Sequence, residues 1–247
     1  MHVTSAQFSF SGDRPTNEDC TGIFKRDDGA HCFVLCDGLG GHFGGELASC
    51  RVCKAVGETF LHADGVAELP VETMRRAVDD AQAALFSMQR AAGTASGQKT
   101  TLACLMLAKA GSAAAYVGDS RIYLFRAGRI LARTLDHSVA QSLVNAGELT
   151  EDEIRTNEDR SSLLHVLGGD REEPLFALWH SGDALCAGDA LLLCSDGLWE
   201  WVLETDMERS LADADTPENW LARLKEIAVL RAQGHEMDNY SAIAVWL

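Results

Sequence analysis

Apolar residues alternate with polar ones, or run together, over residues 3–10, 20–24, 31–36, 101–107, 113–117, 121–126, 175–179, 190–194 and 241–247. A period of two places successive side chains on opposite faces of a strand, so each stretch is expected to pair in a sheet. The turn formers Asp27-Asp28-Gly29 and Ala127-Gly128 separate several strand-like stretches, which predicts antiparallel hairpins. Two other segments carry the helical period. One covers about 46–61; the other, 70–91, places Val71, Met74, Val78, Ala81, Leu85 and Met88 in one stripe. A third helix is predicted over 217–231, with Thr216 as N-cap, Pro217 at the first helical position, and Trp220, Leu224 and Ile227 on its buried side. The first two helices interrupt the strands together and would cover one sheet face. The pattern predicts a single α/β (α+β) domain over residues 1–247, with two packed antiparallel sheets flanked by helix pairs.

Two segments break this pattern. Residues 92–99, AGTASGQK, read as a flexible connector; Gly97-Gln98-Lys99-Thr100 lacks the Gly-Lys pair of a phosphate loop and follows a helix instead of a strand. Residues 138–173 are polar and acidic, with one short helical pattern at 139–145, and are expected to form a surface excursion.

Of the 247 residues 23% are charged, and the formal net charge is −16. That balance argues against nucleic acid as a partner. It also means that a site for an anionic substrate needs local positive charge, from Arg14 or from bound cations. No apolar run approaches the roughly 20 residues that span a bilayer. The N-terminal MHVTSAQFSFSGDR lacks both the basic and the apolar region of a secretory signal, so a cytoplasmic protein is expected. The eight cysteines then read as free thiols. Cys32, Cys36, Cys104, Cys186 and Cys194 lie in apolar runs. Cys50 and Cys53 form a C-x-x-C on a helix, where core packing is expected, since neither a second such pair nor a suitably spaced His42 completes a zinc site.

Four aspartates carry the chemistry. Asp37 lies in VLCDGLGG, Asp119 in YVGDSRIY, Asp196 in LLLCSDGLW and Asp238 in MDNYSA; three of them follow an apolar run that ends in a small or polar residue. A sheet delivers carboxylates to its rim in this way. Carboxylates at close quarters repel, so their gathering points to hard cations and to a multi-metal site of the kind that hydrolyses phosphate esters.

Arg14-Pro15-Thr16-Asn17-Glu18-Asp19, Asp37-Gly38-Leu39-Gly40-Gly41, Lys99-Thr100-Thr101, Val117-Gly118-Asp119-Ser120-Arg121, Asp136-His137-Ser138, Ser195-Asp196-Gly197-Leu198-Trp199 and Asp238-Asn239-Tyr240-Ser241 occur in this order. Together they resemble the ordered motifs of the metal-dependent protein phosphatases, the type 2C serine/threonine phosphatases, as a bacterial-type stand-alone catalytic domain. The likeness runs from Arg14 to Ser241. It implies a four-layer α-β-β-α sandwich and hydrolysis of phosphoserine and phosphothreonine monoesters by a hydroxide activated between two Mn²⁺ or Mg²⁺ ions. It also implies phosphoprotein substrates and an opposing serine/threonine kinase, and a monomer is expected.

By the same resemblance Asp37 bridges the two ions, with the Gly38 carbonyl oxygen on the second. Asp196 and Asp238 complete the first ion's ligands, and Glu18 and Asp19 act through bound waters. An all-oxygen set suits Mg²⁺ or Mn²⁺ over zinc. Arg14, four residues before Glu18, offers a planar fork for two phosphate oxygens. Asp119 either binds a third ion beside a flap within 138–173 or caps the turn into Ser120-Arg121.

One position departs from the pattern. Many eukaryotic relatives place a His two residues after the bridging Asp, as a proposed general acid; here that residue is Leu39. Either a metal-bound water protonates the leaving group or turnover falls with poor leaving groups. Leu39 reads as a mark of the bacterial subtype, and His137 as structural. Two rival readings stand beside this one. Cys20 and Arg26 satisfy the C-x5-R of a cysteine-nucleophile phosphatase, but in a strand-like run with no helix following. A non-catalytic phosphopeptide-binding pseudo-phosphatase is the other, against which the joint presence of Asp37, Asp196 and Asp238 argues.

Overall fold

Strand β3 (His31–Leu39) runs three residues past the apolar stretch 31–36 and carries Asp37 to the end of a sheet. The computed structural model describes residues 2–39, 44–63, 70–93, 97–171, 174–179, 182 and 184–247. β3 pairs on one side with β2 (Asp19–Lys25) and on the other with β5 (Leu102–Ala108), which continues to β6 (Gly111–Val117) and β9 (Ala177–Trp179). A two-residue strand, β4 (Lys99–Thr100), pairs with the end of β3. The second sheet has the order β1 (Thr4–Phe10), β11 (Tyr240–Trp246), β10 (Ala190–Cys194), β7 (Arg121–Arg126), β8 (Arg129–Arg133). Every pairing is antiparallel.

The alternation along β3 explains the layers. Cys32, Val34 and Cys36 face helices α1 (Gly44–His62) and α2 (Pro70–Ala92), whereas Phe33 and Leu35 face the second sheet. Burial on both faces is why this strand reads as a continuous apolar run. Between the sheets, Leu105, Ile122, Leu124, Leu191, Leu193, Ile243 and Val245 interlock with Phe33 and Leu35. Beyond the second sheet a third apolar layer forms under α4 (Asp196–Trp199), α5 (Glu204–Ala212) and α6 (Pro217–Arg231), with Trp199 and Trp220 fully buried. Helix, sheet, sheet, helix: the four layers expected.

α6 begins as predicted, with the Thr216 hydroxyl accepting from the Asn219 N–H and Pro217 in the first turn. β8 and α5 are among the elements that escaped the sequence pattern. β8 is an edge strand with Arg at both ends, and α5, ETDMERSLA, buries only Asp206, Met207 and Ser210. Neither has enough apolar residues to show a period. Within the connector, residues 99–100 are strand; residues 94–96 lie outside the described residues, as do Gly40, Gly41, His42 and residues 172–173. Cys53 is buried as expected, but Cys50 and Cys186 are exposed. Among the described residues no helix is long and apolar enough to cross a membrane.

Segment 138–171 contains α3 (Val139–Asn145), capped by the Ser138 hydroxyl, and a 3₁₀ turn at Asp152–Thr156. It is tied down at several points. Leu167 bridges to Thr100; Arg155 donates to the Trp199 carbonyl at 3.1 Å and to Glu204 at 2.7 Å; Arg160 pairs with Glu200 at 2.6 Å.

Candidate active site

The ladder between β2 and β3 sets Asp19 directly opposite Asp37, so two carboxylate residues sit side by side at one sheet end. The backbone of Asp37 is held on both sides. Its N–H donates to the Thr101 hydroxyl at 2.9 Å, and its carbonyl accepts from the Thr101 N–H and the Thr100 hydroxyl, each at 2.8 Å. Gly38 follows where no side chain fits: a Cβ there would overlap the Gly45 carbonyl and come within 2.6 Å of the Glu18 carbonyl oxygen. Gly45 meets the same constraint, since its Cβ would lie 2.6 Å from Glu18 Oε2. The start of α1 is therefore packed against Glu18.

Asp196 enters from the second sheet as the first residue of α4. Ser195, at the cap position, turns its hydroxyl to Asp19 Oδ2 at 2.8 Å and accepts from the Ser241 N–H at 3.0 Å, which joins the two sheets at the cleft. Asn239 pins the N-terminal loop. Its Oδ1 accepts from the Glu18 N–H at 2.7 Å, and its Nδ2 donates to the carbonyls of Ser11 at 2.8 Å and Thr16 at 3.0 Å. Next to it, Asp238 receives both arms of Arg14, at 3.1 and 2.9 Å. Asp119 follows Gly118, whose φ of +93° turns the chain out of β6. The Asp119 carbonyl accepts from Trp199 Nε1 at 3.0 Å, and the Trp199 ring lies 3.5 Å under the buried Arg121 guanidinium. Arg121 is in turn locked to Asp136 at 2.8 and 2.7 Å.

The electrostatics record the crowding. Burial, then the charges of Asp19, Asp196 and Asp119, push the Asp37 carboxyl well above the usual range, and it shares a hydrogen bond with Asp196. Burial and Asp196 do the same to Asp119, and burial and Asp238 raise Asp196. Burial lifts Asp19 to about 7, and Glu18 is raised by burial and Asp238. A hydrogen bond between two carboxylates needs a proton, so the cluster holds protons where it lacks countercharge.

These residues fit divalent cations. All donors are oxygens, and Asp19 Oδ1 is buried with no hydrogen-bond partner. Asp238 is turned to Arg14, and among the described residues no three acidic, His or Cys side chains meet at one point at ligand distance. Ion entry would therefore displace the shared proton and draw on Asp238.

Of the sequence candidates, Glu18, Asp19, Asp37, Gly38, Asp196, Asp238 and Arg14 line one cleft, and Asp119 borders it through its charge on Asp37. The sequence reading quoted Ser195, Asn239, Thr100 and Thr101 within the ordered motifs but gave them no role; here they hold the residues that carry the carboxylates. His137 is structural as expected. Its ring stacks on Tyr116, its Nδ1 accepts from the Gly118 N–H at 3.3 Å, and burial lowers it to about 4. Cys20 lies on β2, and Arg26 pairs with Asp28 at 2.6 Å. The Cys20 thiol is pushed up, chiefly by its hydrogen bond to Cys53 and by burial, opposite to what a cysteine nucleophile requires.

Known proteins share this fold. The protein phosphatase 2C family matches residues 13–239. The serine/threonine phosphatase stp of Listeria monocytogenes is 28% identical over 237 residues, 94% of this chain and 90% of its own. The Mycobacterium tuberculosis serine/threonine phosphatase PstP/Ppp superposes with a TM-score of 0.84 at 29% identity, over 99% of this chain and 98% of that one. The PstP catalytic domain in complex with two manganese ions gives a TM-score of 0.81 at 28% identity, covering 98% and 97%. With a four-layer sandwich, a carboxylate cleft between its sheets and a match over nearly its whole length, the chain belongs to the protein phosphatase 2C family.

Proposed function

We propose that the protein is a metal-dependent serine/threonine protein phosphatase, its residues 1–247 forming one catalytic domain. The observation that carries this reading is the meeting of Asp19, Asp37, Asp196 and Asp238 from two sheets at one site, where burial and the neighbouring charges raise the carboxyls of Asp19, Asp37 and Asp196. Asp37, Asp196, Asp238 and the Gly38 carbonyl would hold two Mn²⁺ or Mg²⁺ ions, with Glu18 and Asp19 reaching them through water. The relative's two manganese ions support this choice. Bound there, the cations supply charge neutralisation and an activated water for in-line attack.

The protein's own residues supply orientation. Arg14 is about half exposed at the cleft mouth and presents two N–H groups in one plane, the geometry that two phosphoryl oxygens accept. Its two-point pairing with the Asp238 carboxylate supports this reading, since a phosphoryl group presents the same pair of oxygens. Leu39 donates no proton, and His137 is neutral near pH 7 and spends Nδ1 on Gly118. Protonation of the serine or threonine alkoxide thus falls to water. Asp119 would hold a third ion beside segment 138–173, whose ties through Arg155 and Arg160 place it against α4. The substrates would be cytoplasmic phosphoproteins, and the opposing enzyme a serine/threonine kinase; the domain would act as a monomer.

The test is phosphate release from a phosphothreonine peptide and from p-nitrophenyl phosphate in Mn²⁺, Mg²⁺ or EDTA, for wild type and Asp196→Ala. Release that needs metal and vanishes in the variant is expected. Release that survives EDTA sinks the metal mechanism, and none under any condition leaves a phosphopeptide-binding module.

A further inference from the structure

Helix α2 carries two buried amides, Gln82 and Gln89, two turns apart on one helix face and only 2% and 3% exposed. Gln82 holds the chain as it returns from the excursion at 138–171. Its Oε1 accepts from the Gly168 N–H at 2.9 Å, and its Nε2 donates to the Arg171 carbonyl at 2.8 Å. Gln89 holds two legs of the chain at once: its Nε2 donates to the carbonyls of Gly168 and Gln98, each at 2.8 Å. An amide nitrogen carries two hydrogens, so both are spent. Gly168, at φ +76°, admits no side chain here, since a Cβ would overlap the Gln98 carbonyl oxygen.

These are the two legs of the bridge beside Asp37. Gly168 follows Leu167, and Gln98 lies two residues before Thr100. The Thr100 N–H donates to the Leu167 carbonyl at 3.1 Å, and the Leu167 N–H donates back at 2.9 Å. Thr100 stands opposite Gly38 in the β3–β4 ladder and gives its hydroxyl to the Asp37 carbonyl. Thr101 gives its N–H to the same carbonyl, and its hydroxyl accepts from the Asp37 N–H.

We propose that Gln89 is a positioning residue for the site: by tying both legs of the bridge to α2, it fixes where Asp37 and the Gly38 carbonyl stand. Gln89 acts through Thr100 and Thr101 and takes no part in the chemistry. An apolar residue would continue the stripe of Met74, Val78, Ala81 and Leu85, but would leave the Gly168 and Gln98 carbonyls without this donor. The effect on cation binding rests on the proposed metal site; the tie itself does not.

The experiment compares wild type, Gln89→Met and Val78→Ala as full chains. Methionine keeps the length of glutamine and removes both donors, whereas Val78→Ala removes packing from the same helix and no hydrogen bond. Amide exchange is followed by NMR in EDTA. In Gln89→Met the N–H groups of Thr100, Thr101 and Leu167 are expected to exchange about tenfold faster relative to those of Val34 and Leu105; in Val78→Ala the two sets should keep step. Calorimetry should then show Mn²⁺ binding about tenfold weaker in Gln89→Met and unchanged in Val78→Ala. Gly168→Ala parts the legs from the other side and carries the same expectation if Gln89→Met does not fold. Unchanged exchange at Thr101 overturns the proposal, as does a loss of Mn²⁺ affinity equal in Gln89→Met and Val78→Ala. Faster exchange with unaltered Mn²⁺ affinity overturns the link to Asp37. A wild type that binds no Mn²⁺ counts against the metal site, and exchange at Thr101 then decides the tie alone.

Discussion

Arg14 and Asp238 form a two-point ion pair across 224 residues of sequence, Nε to Oδ1 at 3.1 Å and Nη2 to Oδ2 at 2.9 Å. The group proposed to grip phosphate thus holds a carboxylate proposed to grip a cation. An ion that takes Asp238 frees the fork of Arg14, and a phosphate that takes Arg14 frees Asp238. The two proposed ligands therefore favour each other's binding.

Arg14→Ala is expected to separate these roles. Loss of two charge-assisted hydrogen bonds to phosphate, about 1.5–3 kcal/mol, should lower kcat/KM for a phosphothreonine peptide by roughly 10- to 100-fold. Mn²⁺ affinity measured by calorimetry should rise, because Asp238 loses its competitor. Arg14→Lys should recover little of kcat/KM, since an ammonium lacks the planar fork. Weaker Mn²⁺ binding in Arg14→Ala would contradict the competition.

The carboxylate cluster predicts how cations change stability with pH. Asp19 titrates at about 7 in the folded chain, and Asp37 and Asp119 are raised well above their ordinary value. Between about pH 4 and pH 7 the folded state then binds more protons than the unfolded state, so these groups make stability fall as pH rises. Divalent cations replace the protons. The melting-temperature gain from Mn²⁺ over EDTA should accordingly grow from pH 5 to pH 7.5; a constant gain would show that the cluster does not bind the ion.

His137 contributes the opposite slope. Burial, with His165 beside it, lowers this imidazole to about 4. The unfolded chain binds the extra proton between about pH 4 and 6.5, so stability rises with pH across that window and is lost as pH falls. Thermal melts of His137→Gln should lack this part of the acid limb. An unchanged acid limb would mean that the imidazole is not what the acid titrates.

Gly197→Ala tests the contact between the start of α4 and the residues that lead into β11. The added Cβ would overlap the backbone carbonyl of Asn239 and approach Tyr240 Cβ to 3.3 Å. Backbone cannot step aside as a flexible side chain can, so a loss of about 2–3 kcal/mol in urea unfolding is expected. Because Asn239 also holds Glu18 and the loop at Ser11 and Thr16, activity should fall as well. A variant of wild-type stability would show that this contact is loose.

Much of the fold is legible in the chain because burial leaves a period. The stripe from Val71 to Met88 is α2, and the run from Cys32 to Cys36 is a strand covered on both faces. β8 and α5 stayed hidden because Arg129, Arg133, Glu204 and Glu208 serve ion pairs and solvent, which impose no period. The exposure of Cys50 was equally invisible, since C-x-x-C on a helix shows which turn the thiols share but not how far the neighbouring strand covers them.

The sequence by itself determined the residue types of the cleft and their order, because a carboxylate next to glycine or asparagine is a local requirement of backbone and ligand chemistry. It also determined the layers, through hydrophobic period. Only the tertiary structure decided which carboxylates meet. Asp19 faces Asp37 through strand register, Asp196 arrives from the other sheet, and Arg14 reaches Asp238 across 224 residues. Those relations depend on how two sheets pack and on which charges burial forces together, and both are properties of the folded chain.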